Sequence, residues 1–459
     1  MAAIITTKFR VLNAENFARD IADDTNSIYI GIGKTDHWSN QVSSTIDSAP
    51  FIPNDHQDDA SEASQNCFAM MRLKAGDVTT VIPRFNWVTS NVYAAWDSSD
   101  SNIFDDNVKF YVLTNEFKVY KCISSTGKAS TSQPVTIGTD PFTLGDGYVW
   151  KYMYTLTAGD SEKFLTNAYM PVKTLQVTNI LDDTDVNYAQ QQSQISSAAS
   201  PTVRGIERYV VTAGGDSYTS APDVTITGDG SGAAATAIFD VDNHTVTEVV
   251  MTTPGTGYSI ADVVISGGGG ADATARAVIT PDSGHGVDPV SELGGFYVSL
   301  NTQLEGVVGG DFTVGNDFRQ VTLIKNPHDF GTTDIATSAT LRTTRGLRFT
   351  SGDETQFSAD DVIEGSNSLA KAYIVQIDTA NHIIYYNQNA KTGYGIFQDG
   401  ENAAYSSGPS GTSEVLTDLV DQVDSEVENN SGQMIFLENR DPINRSVTQI
   451  EDIKLIIEM

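Results

Sequence analysis

The chain has 459 residues and carries 59 acidic against 27 basic side chains, a net charge of −32 at pH 7. Binding to nucleic acid or an anionic membrane needs clustered Lys and Arg, and no run here supplies them, so those partners are excluded. The length exceeds what one core fills, and frequent Gly, Ser, Thr and Asp point to several domains of strands joined by turns.

The opening residues have no long apolar core, because Lys8 and Arg10 interrupt it, so no signal peptide is expected. No apolar run approaches the roughly 20 residues that a membrane span needs. Two cysteines, Cys67 and Cys122, are too few for a disulfide scaffold and suit a reduced, intracellular history.

Residues 13–21 pattern as a short amphipathic helix, with Phe17 and Ile21 four apart and Asn13 as its N-cap. Strands are expected at 27–33, at 78–87 with a break at Pro83, and at 148–156. Residues 108–123 are aromatic and β-branched around Thr114-Asn115, which predicts a hairpin. Residues 189–200 are small and polar and pattern as a linker.

An internal repeat follows. Tyr218 precedes Asp223-Val224-Thr225-Ile226-Thr227-Gly228, and Tyr258 precedes Asp262-Val263-Val264-Ile265-Ser266-Gly267. Each copy continues through a glycine turn into an Ala/Thr-rich strand. Repeated units of this kind stack and bury a shared face, so 201–282 is expected to be a separate β module. Strands at 346–349, 372–377 and 383–386 predict a small barrel or sandwich. Residues 414–428 are acidic, with Leu416, Leu419 and Val423 spaced as in a short helix. Residues 450–457 alternate as a final strand.

No local motif supplies catalytic chemistry. Gly31-Ile32-Gly33-Lys34-Thr35 resembles a phosphate loop, but Ile28 stands where the first glycine is needed. The six histidines form no pair at i,i+4 and none neighbours a cysteine, so surface or turn positions are expected rather than a zinc site. Asp240-Val241-Asp242-Asn243 and Asp229-Gly230 fit turns better than calcium loops. No nucleophile elbow is present, and no pair of carboxylates stands out. No enzyme, cofactor or metal is expected.

Five separated segments resemble a wedge structural protein of T-even-type contractile-phage baseplates. They are 28–34 leading to Trp38-Ser39; Val81-Ile82-Pro83-Arg84 with Trp87; Gly145-Asp146-Gly147-Tyr148-Val149-Trp150 with Tyr152; Phe318-Arg319-Gln320 with Ile324 and Asn326-Pro327; and Ser431-Gly432-Gln433-Met434-Ile435 followed by Glu438-Asn439-Arg440 and Pro442-Ile443. The Gly-Tyr repeat, Gly284-His285-Gly286 and Leu293-Gly294-Gly295 resemble versions carried by cyanophages.

The resemblance implies a mainly β, multi-domain protein of sandwich and barrel type. It implies a frame of 1–188, 283–334 and 426–459, with insertions at 201–282 and 335–425. It implies a virion protein made in the host cytoplasm, a homodimer that joins other baseplate wedge proteins and has no catalytic residues. Trp38, Arg84, Trp87, Tyr148, Trp150, Tyr152, Arg319, Glu438 and Arg440 are the candidate interface or fold-signature residues. Glycan binding through the Gly-Tyr module is the alternative, and it requires exposed aromatic platforms.

Overall fold

A computed structural model describes residues 4–38, 48–105, 107–174, 204–282, 284–304, 316–350, 354, 357–407, 415–416, 419–444 and 451–459. The linker expected at 189–200 and Ser39 lie outside the described residues.

In chain order the first elements are α1 (Thr7–Ala22), β1 (Ile28–Gly33), α2 (Gln57–Asn66), β2 (Cys67–Arg72), β3 (Val78–Pro83), β4 (Tyr111–Leu113), β5 (Lys118–Ser124), β6 (Phe142–Thr143), β7 (Val149–Thr155), α3 (Ala158–Phe164) and β8 (Tyr169–Pro171). There follow β9 (Ile206–Asp216), β10 (Asp223–Gly228), β11 (Ser231–Asp240), β12 (Thr245–Thr256), β13 (Ala261–Ser266), β14 (Ala271–Ile279), α4 (Pro289–Leu293), β15 (Tyr297–Leu304) and β16 (Asp317–Lys325). The last are β17 (Thr340–Arg342), β18 (Arg345–Phe349), β19 (Val362–Gly365), β20 (Lys371–Asp378), β21 (Ile383–Asn387), β22 (Ala403–Ser407), β23 (Val415–Leu416), β24 (Leu419–Val423), β25 (Gln433–Asn444) and β26 (Glu451–Glu458). The chain is mainly β, as its composition predicts.

The chain divides into two compact units. Residues 1–16, 79–299 and 455–459 make the first, and 17–78 with 300–454 make the second.

In the first unit, β4-β5-β7-β6 form one antiparallel sheet, and the hairpin expected near 114 joins β4 to β5. Its turn closes where Phe117 amide donates to the Thr114 carbonyl, with Phe117 at φ 57. The apolar core gathers Val11 of α1, Ile82, Phe110, Met153, Leu293 and Phe296. α1 begins earlier than expected. The Thr6 hydroxyl accepts from the Phe9 amide, so Asn13 lies inside the helix rather than at its cap.

The Gly-Tyr repeats lie in the same unit and do not stack as two self-contained copies. β9 of the first repeat pairs with β14 of the second, β12 of the second pairs with β11 of the first, and β10 pairs with β13. The bulges recur at equivalent places, Thr274/Ala275 with Ala234/Ala235 and Val278/Ile279 with Ile238/Phe239. The two copies are interleaved about a pseudo-twofold. Glycines permit this: a Cβ on Gly230 would lie 2.4 Å from the Tyr258 ring, and one on Gly270 would lie 2.5 Å from the Tyr218 ring. Each tyrosine thus seals against a glycine of the other repeat, and both tyrosines are buried.

In the second unit, β17-β2-β1-β16-β25 form one sheet. β1 is buried along its whole length, which explains its unbroken IYIGIG run. Residues 345–423 supply a seven-stranded sheet, β23-β22-β19-β20-β21-β18-β24, over a core that includes Leu347, Ile363, Ile374 and Ile384. The helix expected at 414–428 is not formed. Residues 415–416 and 419–423 are strands, because pairing with β22 and β18 satisfies their backbone better than an isolated acidic turn.

Candidate functional site

In the second unit, three signature segments meet at one end of the β1 sheet. Gly33 brings β1 so close to the α2–β2 corner that a Cβ would lie 2.5 Å from the Asn66 carbonyl oxygen. The chain then turns at Lys34 (φ 62), whose amide donates to that carbonyl at 2.9 Å. The Lys34 ammonium is not offered to any phosphate. It is buried against Asp36 at 3.1 Å and lies 4.9 Å from the Trp38 ring centroid. Burial pulls the Lys34 ammonium below its usual range, with Asp36 opposing that shift. Lys391 at 2.6 Å and the Asn389 amide at 3.2 Å complete the shell around Asp36.

Arg319 on β16, 1% exposed, holds the same loop. Its fork donates to the Thr35 carbonyl at 2.6 Å and to Asp317 at 3.0 Å, and it contacts His37 Nδ1 at 3.2 Å. Trp38 Nε1 donates to the Arg440 carbonyl at 2.9 Å, and its ring meets Phe51 edge-on at 5.3 Å. Arg440 therefore enters this assembly through its backbone, and Glu438 sits half-buried opposite Val321. Gln320 links Asn66 to Asn439. Trp38, Arg319 and Arg440 are thus brought together to fix one loop.

In the first unit, the Gly-Asp-Gly turn works through Asp146. Its carboxylate accepts from Thr131 amide at 2.8 Å, Ser130 hydroxyl at 2.9 Å, Ser132 amide at 3.1 Å and Tyr148 amide at 3.3 Å. Burial alone would raise this carboxyl, but these donors hold it below the usual carboxylate range. The turn delivers Tyr148 and Trp150 into a fully buried cluster with Tyr93, Tyr120 and Tyr152. Tyr148 and Trp150 stack at 5.8 Å, and the Tyr148 hydroxyl donates to the Lys128 carbonyl at 2.6 Å. Trp87 packs at the edge of this cluster. Arg84 donates to the Thr166 carbonyl at 2.8 Å and to Asn86 at 2.9 Å.

One cluster escaped the sequence reading. Lys121 of β5 and Lys151 of β7 are register partners, and both are buried. Like charges face to face need an acid, and α4 supplies it in Glu292, whose carboxylate pairs with Lys121. His285 lies beside them, its side chain 8% exposed, with Nε2 2.5 Å from Glu207 of β9 and Nδ1 3.7 Å from Glu292. His285 stands in a turn, as expected, but its side chain faces inward rather than to the surface. The detectable signal was a lysine at the centre of each of two otherwise apolar strands.

Among the described residues no group of His, Cys, Asp and Glu is placed to hold a metal, and no helix is long and apolar enough to cross a membrane. Asp240 accepts from the Asp242 and Asn243 amides, the turn chemistry expected of it, whereas Asp229 reaches across to the Ser259 and Ile260 amides and so links distant segments. In the Gly-Tyr module Tyr209, Tyr218 and Tyr258 are buried and Phe239 is partly buried, so the aromatic platform needed for glycan stacking is not presented.

A family model described as "Bacteriophage T4, Gp8" matches residues 3–127, a stretch that runs from α1 through β5. The chain is also 25% identical over 202 residues to the baseplate wedge protein gp8 of Enterobacteria phage T4. That alignment covers 37% of this chain and 60% of the relative's length. The family match contains the first two signatures, so the chain is similar to the T4 baseplate wedge protein gp8, as those signatures imply.

Proposed function

We propose that this chain is a structural subunit of a phage-tail baseplate wedge, which dimerises and bridges other wedge proteins during assembly and contraction. The observation that carries the reading is the family match over residues 3–127. The buried signatures support an architectural role: Trp38, Arg319 and the Arg440 carbonyl clamp a loop, and Tyr148, Trp150 and Tyr152 form a core. Such rigid elements suit a subunit that keeps its shape while its neighbours pivot. Residues 201–282 and 335–425 are additions to a shorter frame, and the acidic surface suits basic faces on wedge partners.

The test is light scattering of the purified chain, followed by co-purification with the other wedge proteins of the same phage. A dimer retained on those proteins is expected. A monomer that binds none of them overturns the reading. No observation favours glycan binding, since the module's tyrosines are buried.

A further inference from the structure

Among the polar ties that fasten the Gly-Tyr module to the rest of the first unit are two clasps of different kinds. The outer clasp is a fork. Arg276 of β14 grips both Asp97 oxygens at 2.7 and 2.5 Å, with Arg208 of β9 at 3.6 Å from the same carboxylate. Arg and Asp keep their charges across the range in which proteins work, so this clasp is permanent.

The inner clasp is the buried histidine. It meets Glu207 of β9 and Glu292 of α4, with the Trp96 ring edge-on at 5.1 Å; Lys121 of β5 pairs with Glu292, and its register partner Lys151 of β7 donates to the Thr139 carbonyl. Glu292 is occupied on its other side. Its Oε1 accepts from the Gly286 amide at 2.6 Å and the Asp288 amide at 3.3 Å, and its Oε2 pairs with Lys121.

The two ring nitrogens of His285 are not equivalent. Nε2 has Glu207 within hydrogen-bond distance, while buried Nδ1 has no hydrogen-bond partner among the described residues and lies 3.7 Å from the Glu292 carboxylate. A neutral ring carries one proton. It would satisfy Glu207 and turn a bare lone pair toward a second carboxylate. The doubly protonated ring presents an N–H to each.

We infer that His285 is a proton-operated latch between the Gly-Tyr module and the frame, closed when its ring bridges Glu207 and Glu292 as an imidazolium and loosened when the ring gives up a proton. Deprotonation removes the cation that lies between the two carboxylates. The module then keeps the Asp97 fork, the Ile279 amide bond to the Ser98 hydroxyl and its apolar contacts. The latch therefore closes toward lower pH and opens as pH rises.

Amide hydrogen exchange of the full chain, corrected for intrinsic rate and read from about pH 6 to about pH 8.5, tests this. Protection of β9 and β14 should fall about tenfold more than that of β4. In His285→Gln the step should vanish and protection should stay low throughout. Lys151, pulled by burial to about 8, titrates in the same window, so Lys151→Met must retain the step. If it loses the step, the latch belongs to the lysine and the proposal falls. Should His285→Gln fail to fold, Glu207→Gln keeps the hydrogen bond without the charge and must flatten the same step. Nitrogen-15 NMR gives an independent reading: both ring nitrogens of His285 protonated at pH 6 is expected, and one bare nitrogen overturns the latch.

Discussion

At the scale of single residues, the Arg319 side chain acts inward. Arg319 is 1% exposed, and its fork serves the Thr35 carbonyl and Asp317 together. Truncating it leaves a buried carbonyl without its donor and Asp317 without its counter-charge. Arg319→Ala should therefore cost about 3–5 kcal/mol. Arg319→Lys should recover only part of this, because an ammonium lacks the planar fork. Chemical denaturation with amide exchange read at β16 measures both, and an alanine variant as stable as the parent would refute the clamp. The sequence identified Arg319 as important but did not reveal what it holds, since Thr35 lies 284 positions away. Lys121 and Glu292, 171 apart, were illegible for the same reason. A pairing across such a distance leaves no local pattern, only an apolar strand with one residue that does not belong.

At the scale of elements, legibility followed the backbone. β1, β3, β5 and β7 announced themselves through β-branched and aromatic runs, because those side chains suit a pleated surface wherever it is placed. Residues 414–428 misled because Leu416, Leu419 and Val423 satisfy a helical spacing, while the strand that pairs with 419–423, β18, comes from distant sequence. The repeat was legible as a repeat, but its interleaving was not, since identical copies do not state whether they pair within or between themselves. That interleaving predicts an equality. Gly230→Ala and Gly270→Ala should each cost about 1–3 kcal/mol through overpacking against Tyr258 and Tyr218. Gly138→Ala, which meets nothing within 4 Å, should be close to neutral. Thermal unfolding compares the three. A large difference between Gly230→Ala and Gly270→Ala would count against the pseudo-twofold.

At the scale of the whole chain, the excess of acid gives stability an acid limb. Burial alone would raise the Glu292 carboxyl, but Lys121 and His285 beside it hold it at about 2, below the ordinary 4.5. A carboxylate depressed on folding contributes stability that is fully present above its unfolded value and is lost as pH falls through the folded one. Thermal midpoints should thus hold near pH 6 and decline between about 4.5 and about 2. Glu292→Gln should begin lower and decline less steeply, as circular dichroism melts at stepped pH would show. A parent and variant with parallel profiles would place the acid limb in other carboxylates.

The pairing of β9 with β14 has a consequence for how such a chain can vary. Ile206 enters the Gly-Tyr module directly opposite Ile279, where the chain leaves it. Entry and exit are therefore neighbours across a single ladder, a spacing of about 5 Å. A segment attached through so narrow a doorway can lengthen or shorten at its far turns without displacing the strands on which it is mounted. Variation should be tolerated at the far tip near 241–243 and resisted at the doorway, where the histidine latch and the arginine fork both stand.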